Sequence, residues 1–324
     1  MRVSIAMATY NGEKFIKEQL DSFLNQTHLP YELVVCDDRS SDSTIEILEE
    51  FQRSAPFIVR VIRNSENIGH ERNFGKVIDL CQGDLIFLSD QDDVWLPSKI
   101  FSVVEIFNKR KNVLLVINDA EIADASMQLT GRTVFGQTQA AGVIGSNGKS
   151  LTLGCATAFR SQLRSLISPI PALDYGHDSW IHDFTQLIGG RYVLKHTLQL
   201  YRRHGGNVSN WAFDGSAKAT MQNVLKPSAG KDLRPAYIKR LLTLDLMKSR
   251  MTDFGLDHYL KLNSPIPYSD VLLSIDHAIV ALNSRMHMFE HGWLARKLLA
   301  ITMLLRGDYK HFLGIKSFAK DFLR

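Results

Sequence analysis

Hydrophobic positions switch between two periods over the first 120 residues. Arg2 to Ala8 is a short apolar run that reads as a strand, and Phe15, Ile16, Gln19, Leu20, Phe23 and Leu24 then repeat at helical spacing. Tyr31 to Cys36 predicts a second strand. Ser43-Thr44-Ile45-Glu46 has the capping-box pattern and predicts a helix through Phe51. Ile58 to Ile62 predicts a third strand, Glu71 to Cys81 a helix and Leu85 to Ser89 a fourth strand. Pro97 predicts the start of another helix, since proline is favoured at the first helical position. Val113 to Ile117 reads as a fifth strand. Strand and helix in alternation predict an α/β fold, a mostly parallel sheet with helices on both faces.

Beyond Ile122 the periodicity weakens. Gly131 to Ser150 is rich in Gly, Ser, Gln and Asn and reads as loops around a short extended segment, with Gln139 to Ser150 a candidate lid. Thr152 to Phe159 predicts a strand followed by a short helix from Arg160, Trp180 to Ile188 a helix, and Tyr192 to Tyr201 two short strands. After Trp211 the composition shifts. Ala219–Leu225, Ala236–Met251, Asp270–Phe289 and His291–Leu305 all show helical spacing. The expected division is an α/β domain over 1–212 and a helical C-terminal region over 213–324.

Composition narrows the class. Hydrophobic residues make up 45% and charged residues 22%, ordinary for a globular protein. No apolar stretch reaches the length of a membrane span. The N-terminus opens on a strand pattern rather than a signal-peptide layout, so a cytoplasmic location is expected. Cys36, Cys81 and Cys155 are odd in number and far apart; buried free thiols are expected, not a zinc site or disulfide framework. The net charge of +4 is mild, and no nucleic-acid partner is expected. From His291 onward, however, seven Lys or Arg stand against two acids, interleaved with Trp293, Leu294, Leu298, Leu305 and Phe312. A basic amphipathic tail of this kind predicts peripheral contact with the inner face of the plasma membrane, with packing on the α/β domain or in a dimer as the alternative.

The polar residues cluster where an open α/β sheet binds ligands, beyond the carboxyl ends of its strands. Thr9-Tyr10-Asn11 ends strand one, Asp37-Asp38 strand two, Asn64 strand three and Asp90-Gln91-Asp92-Asp93 strand four. Carboxylates packed at a buried strand end repel one another unless a cation lies among them, and hard oxygens suit Mn2+ or Mg2+ bound together with substrate phosphates. A helix N-terminus favouring acids accounts for part of this, since Pro97 lies nearby. Asp38 is a candidate acceptor for a ring N–H of a pyrimidine base, and Asp37 is expected to order the loop. Arg72, in Asn67-Ile68-Gly69-His70-Glu71-Arg72-Asn73, faces a nucleotide or is a surface arginine. Asp178 opens a predicted helix as a catalytic group or a cap. His177 and His182 lie five apart and make a poor second metal pair. Arg202, Arg203 and His204, in Tyr201-Arg202-Arg203-His204-Gly205-Gly206-Asn207, are candidate phosphate and metal contacts.

Taken in order, Thr-Tyr-Asn-Gly, Asp-Asp-x-Ser, Asn-x-Gly-x-x-Arg-Asn, Asp-x-Asp-Asp-x-Trp-x-Pro, His-Asp-x-Trp and Tyr-Arg-x-His-x-x-Asn resemble family 2 glycosyltransferases of the GT-A fold. Within the family they resemble the rhamnosyltransferase-type members of bacterial surface-polysaccharide pathways. The likeness covers roughly residues 1 to 210. The pair often written Glu-Asp is His177-Asp178 here, and the Gln-x-x-Arg-Trp of processive synthases is absent. The resemblance implies a nucleoside-diphosphate sugar donor with a dTDP or UDP carrier, a glycan or lipid-linked acceptor, and inversion. It assigns Asp92 to a metal and Asp90 to metal or ribose, places Thr9, Asn11 and Asp38 around the base, puts His204 near the diphosphate or metal, and makes Asp178 the base. Tyr10 and Gln91, on the same rim, are further candidate donor contacts. A dehydrogenase is excluded by the lack of Gly-x-Gly-x-x-Gly after a strand. A nucleotidyltransferase would need a Gly-rich basic loop after strand one, which Thr9 to Lys14 is not, and intact carboxylates argue against a degenerate sugar-nucleotide binder.

Overall fold

The computed structural model describes residues 1–140, 152–172, 175–207, 234–312 and 314–323. The chain forms two compact units, Met1–Lys218 with Leu260–Pro265, and Ala219–Tyr259 with Ile266–Arg324.

One nine-stranded sheet organises the first unit. β1 (Val3–Thr9), α1 (Ile16–Leu24), β2 (Glu32–Asp37), α2 (Thr44–Ser54), β3 (Ile58–Arg63), α3 (His70–Leu80) and β4 (Leu85–Ser89) follow the expected alternation. β1 pairs in parallel with β2 and β4, and β2 with β3. Every residue of β1, β2 and β4 is buried, so these strands are near-continuous apolar runs. β5 (Val94–Trp95), α4 (Lys99–Lys109), β6 (Leu115–Ala123), β7 (Leu129–Thr133), α5 (Val134–Ala140), β8 (Thr157–Arg160), α6 (Arg164–Ile167), α7 (His177–Leu187) and β9 (Arg191–Arg202) complete it. The strand order is β3-β2-β1-β4-β8-β6-β9-β5, with β7 on β6. β8 lies antiparallel between β4 and β6, while β9 runs parallel to β6 and antiparallel to β5. The sheet is therefore parallel in its N-terminal half and mixed beyond β4.

Several local expectations change. Ser43 makes no side-chain cap; Asp42 does that work, its Oδ1 accepting the Thr44 backbone N–H at 3.1 Å and the Thr44 hydroxyl at 2.5 Å. α4 starts at Lys99, after a turn containing Pro97. The two short strands expected over 192–201 are one strand, β9, whose pairing with β6 shifts register around Asp119. Asp119 stabilises that irregularity, its Oδ1 accepting the N–H groups of Ala120 and Phe135 at 2.8 and 2.9 Å. The second of these bonds seats the start of α5, a helix absent from the sequence reading. Most of the proposed lid, and the helix expected over 219–225, lie outside the described residues.

Ile5, Leu33, Val35 and Phe87 on the sheet pack with Leu20, Phe23, Val103 and Phe107 from α1 and α4. Phe74, Val77 and Ile78 give α3 its own buried face. Burying each such side chain contributes about 1.5–3 kcal/mol, which anchors the strand ends that carry the polar rim. Cys36, Cys81 and Cys155 are free and buried, as expected.

The second unit contains α8 (Arg234–Leu260), α9 (Tyr268–Met288), α10 (Trp293–Leu305) and α11 (Ile315–Leu323), with α8 broken at Gly255. Met288, Ala300, Met303 and Tyr309 form its core. Beside them Arg285 Nη2 donates to the buried Asp321 at 3.0 Å. Among the described residues no helix is long and apolar enough to cross a membrane.

Candidate active site

The carboxyl ends of β1, β2 and β3 are knitted together by their own polar side chains. Thr9 Oγ1 donates to Asp37 Oδ2 at 2.9 Å, and Ser40 donates to Asp37 through its backbone N–H and its hydroxyl at 2.8 and 2.5 Å. Asp37 thus orders the loop, as its position suggested. Asn11, in the left-handed region at φ 47°, donates its N–H to Ser40 Oγ and accepts the Ser41 N–H on its side chain, both at 2.9 Å. Asp38 is 3% exposed and already accepts three hydrogen bonds at 2.8 Å, from Asn64 Nδ2, Ile68 N–H and Gly69 N–H. A carboxylate offers about four acceptor sites, so one remains for a base. Its main visible work is to shape the turn into α3.

Gln91 is a clamp rather than an open donor contact. Its Oε1 accepts the Tyr10 N–H at 2.9 Å and its Nε2 donates to the Tyr10 carbonyl at 3.0 Å. This joins the end of β1 to the segment after β4. Gly12 is required alongside, because a Cβ there would lie 2.5 Å from Gln91 Oε1. The Tyr10 side chain is half exposed beside this clamp.

The acidic segment divides its labour. Asp93 is fully buried, its Oδ2 accepting Gln199 Nε2 at 3.0 Å and its Oδ1 accepting the Arg202 N–H at 3.1 Å. Asp90 and Asp92 are half-buried. Burial, then the negative charges of Asp92, Asp93 and Asp178, hold the Asp90 carboxyl well above the usual carboxylate range. The ligand atoms that lie within 4.8 Å of one another belong to Asp90, Asp93 and Cys155, not to the expected Asp90, Asp92 and His204. Asp93 is already engaged, and burial first of all keeps the Cys155 thiol protonated, its value pushed far up. Asp90 and Asp92 are the accessible hard oxygens, and their mutual repulsion is what a divalent cation relieves; the donor set fits Mn2+ or Mg2+.

His204 stands against the Asp92 carboxylate. Its Nδ1 accepts the Gly206 N–H at 3.1 Å, so the proton sits on Nε2, which meets Asp92 Oδ2 at 2.8 Å. His204, its ring tilted at 39° against Phe15 with centroids 4.5 Å apart, orients Asp92, helped by Asn207 Nδ2 at 3.3 Å. Arg202 turns inward. It is 1% exposed, with Nε on the Asp92 carbonyl at 2.8 Å, Nη1 on the Ala125 carbonyl at 2.9 Å and Nη2 on Glu18 at 2.9 Å. A guanidinium so engaged braces the segment from within. Arg203 is half-buried, with Nη1 3.4 Å from the Tyr201 hydroxyl. Arg72 is exposed on the first turn of α3 and makes no ion pair among the described residues.

Asp178 reaches the same centre from α7. Gly176, at φ 86°, turns the chain into that helix; a Cβ there would fall 2.7 Å from Asp178 Oδ1. Gly176 N–H donates to Glu71 Oε1 at 2.9 Å, tying α7 to α3, and His177 stacks on Phe74 at 4.1 Å. Burial raises the Asp178 carboxyl, and the charge of Asp178 in turn acts on Asp90. His182 is neutral and structural, its Nε2 2.8 Å from the Thr157 hydroxyl and its Nδ1 accepting from Arg191 Nε at 3.0 Å, so it offers no second metal pair. Sequence reasoning missed Lys99 and Gln199. A lysine in line with Val103 and Phe107 on the apolar stripe of α4 was the available signal.

Comparison with known proteins gives the family and the fold. The sequence model of glycosyl transferase family 2 matches residues 4–166. An uncharacterised glycosyltransferase of Nostoc sp. is 27% identical over 253 residues, 75% of this chain and 76% of the relative. The dTDP-rhamnosyl transferase RfbG of Shigella flexneri is 41% identical over 108 residues, 32% of this chain and only 37% of its own length. The crystal structure of S. aureus TarS 1–349 in complex with UDP-GlcNAc superposes with a TM-score of 0.56 over 99% of this chain and 89% of that one, at 14% identity, which establishes the shared fold. With half of its length matched by the family model, this chain is a glycosyltransferase and belongs to glycosyl transferase family 2.

Proposed function

We propose that the enzyme transfers a sugar, with inversion, from a dTDP- or UDP-sugar to a hydroxyl of a glycan or lipid-linked acceptor in bacterial polysaccharide biosynthesis. Rhamnose is the first sugar to test, given the Shigella flexneri relative. The observation that carries the reading is the convergence of Asp178 with Asp90, near enough for their charges to interact. A Mn2+ or Mg2+ ion held by Asp90 and Asp92 would neutralise the charge that builds on the departing diphosphate. Thr9, Asn11 and Asp38 line the rim on which the base would rest. Asp178 takes the proton of the acceptor hydroxyl as its oxygen attacks the anomeric carbon opposite the diphosphate. One carbon–oxygen bond forms as the other breaks, and burial makes Asp178 a stronger base than an exposed aspartate.

A thermal-shift screen of dTDP-rhamnose, UDP-glucose, UDP-galactose, UDP-N-acetylglucosamine and GDP-mannose with Mn2+ identifies the donor. Asp178→Asn is then expected to abolish release of the nucleoside diphosphate while donor affinity stays within about threefold. Retained turnover would remove Asp178 from the role, and binding without turnover in the wild type would favour a non-catalytic binder.

The helical unit supports a membrane-surface location. Leu294, Leu298, Ile301 and Leu305 share one face of α10 and are 66, 61, 39 and 83% exposed. Lys297 lies 4.0 Å from the Trp293 ring, and Lys310 and Lys316 are exposed nearby in sequence. Apolar and basic groups together suit an anionic lipid surface. Flotation of the full chain with phosphatidylglycerol liposomes should be lost in Leu294→Glu/Leu298→Glu; equal flotation refutes the assignment.

A further inference from the structure

We propose that Lys99 and Gln199 are positioning residues for the donor site: a buried ammonium that acts through one side-chain amide to fix Asp93, and so to set how Asp90 and Asp92 are presented. The inference rests on the donor-site reading above.

Lys99 is the first residue of α4 and is 1% exposed. Its Nζ donates to the Cys155 carbonyl at 2.9 Å and to Gln199 Oε1, and lies 3.8 Å from the Trp95 ring centroid. Gln199, on β9, is fully buried. Its Nε2 donates to Asp93 Oδ2 at 3.0 Å and approaches Cys155 Sγ at 3.2 Å. The amide therefore stands between a buried cation and a buried anion, with its carbonyl toward the ammonium and its NH2 toward the carboxylate. That polarity fixes the amide in one orientation. A buried charge is costly unless paired and hydrogen-bonded, and here each charge is satisfied through the same side chain.

The consequence reaches the site because β9 holds the acidic segment at successive points. Gln199 and the Arg202 N–H grip the two oxygens of Asp93, the Arg202 guanidinium grips the Asp92 carbonyl, and His204 grips the Asp92 carboxylate. Lys99 is the charge that anchors the innermost of these. Without it, the Cys155 and Gln199 carbonyls lose their shared buried donor, the amide that holds Asp93 loses its brace, and the segment that presents both ligands loses its fixed orientation.

Isothermal titration of the full chain with UDP, dTDP and GDP, each with and without Mn2+, reads the affinity that the ion adds. For the nucleotide that binds the wild type, Lys99→Met is expected to cut the ion-dependent increment about tenfold or more, with the ion-free affinity within about threefold. A role confined to stability would leave that increment alone in the folded variant. Lys99→Met/Asp93→Asn should restore it to within about threefold. With both groups neutral, neither is left as a buried ion without its counterpart. An unchanged increment in folded Lys99→Met, or no recovery in the pair variant, overturns the proposal. Should Lys99→Met not fold, the pair variant decides: folded with the wild-type increment, it supports the inference; unfolded or lacking the increment, it overturns it. Failure of the wild type to bind any of the three nucleotides with Mn2+, or an undiminished increment in Asp92→Ala, counts against the donor-site reading instead.

Discussion

Arg202→Met separates a brace from a phosphate contact. Methionine keeps much of the buried stem and removes the guanidinium. The two part-buried bonds from that cation to the carbonyls of Asp92 and Ala125, at 2.8 and 2.9 Å, contribute about 1.5–3 kcal/mol each. The bond to Glu18 adds less than about 1 kcal/mol, since the Glu18 side chain is 53% exposed. Against this, the variant no longer buries a cation, a cost of several kcal/mol that offsets part of the loss. The net expectation is about 2–4 kcal/mol of lost stability, and each kcal/mol lowers Tm by about 2–4 °C in a unit of this size. A Tm drop of about 5–15 °C by scanning calorimetry is therefore expected, with metal-free nucleotide affinity within about threefold at a temperature where both proteins are folded. A Tm within about 2 °C of wild type, combined with an affinity loss of about tenfold, would show the guanidinium in direct contact with phosphate and refute the reasoning.

Gly12→Ala should displace the Gln91 amide from both of its bonds to Tyr10, costing about 1–3 kcal/mol, and should cost little more once Gln91→Ala is already present; additive losses in urea titrations would dismiss the clamp. His182 is held well below its ordinary value of 6.5 by burial first and then by Arg191, so the folded state keeps it neutral while the unfolded chain takes up a proton. That contribution is present above about pH 6.5 and is lost as pH falls: relative to His182→Gln, the wild type should lose up to about 1.4 kcal/mol per pH unit below 6.5, and parallel Tm–pH curves would contradict this. Asp42→Ala should destabilise by about 1 kcal/mol and Ser43→Ala by much less, because Asp42 makes the bonds at the start of α2; the reverse order in thermal melts would restore Ser43 as the cap.

The parallel half of the sheet was legible because β1, β2 and β4 are buried on both faces and its helices carry amphipathic stripes, so each element announces its period. The site's address followed from that geometry, with four strand ends meeting at one rim. The roles of individual polar residues were less legible. Gln91, Arg202 and His204 stand among obvious ligand-binding types, yet each spends its hydrogen bonds on the chain itself. Only the positions of Tyr10, Asp92 and Gly206, which no spacing rule supplies, reveal it. Asp42 outcompeted Ser43 by lying one residue earlier with a longer reach. α5 was hidden because its anchor, Asp119, precedes it by 16 residues and acts through a bulged strand. Lys99 went unremarked, though it occupies the apolar stripe of α4.

Asp92 meets its orienting histidine 112 residues further along the chain. During synthesis the N-terminal strands can pair as they emerge, but the catalytic rim stays unfinished until β9 and the turn beyond it have left the ribosome. Assembly of chemistry is thereby placed late, after the scaffold, and a nascent fragment ending before that turn carries the carboxylates without the partners that aim them.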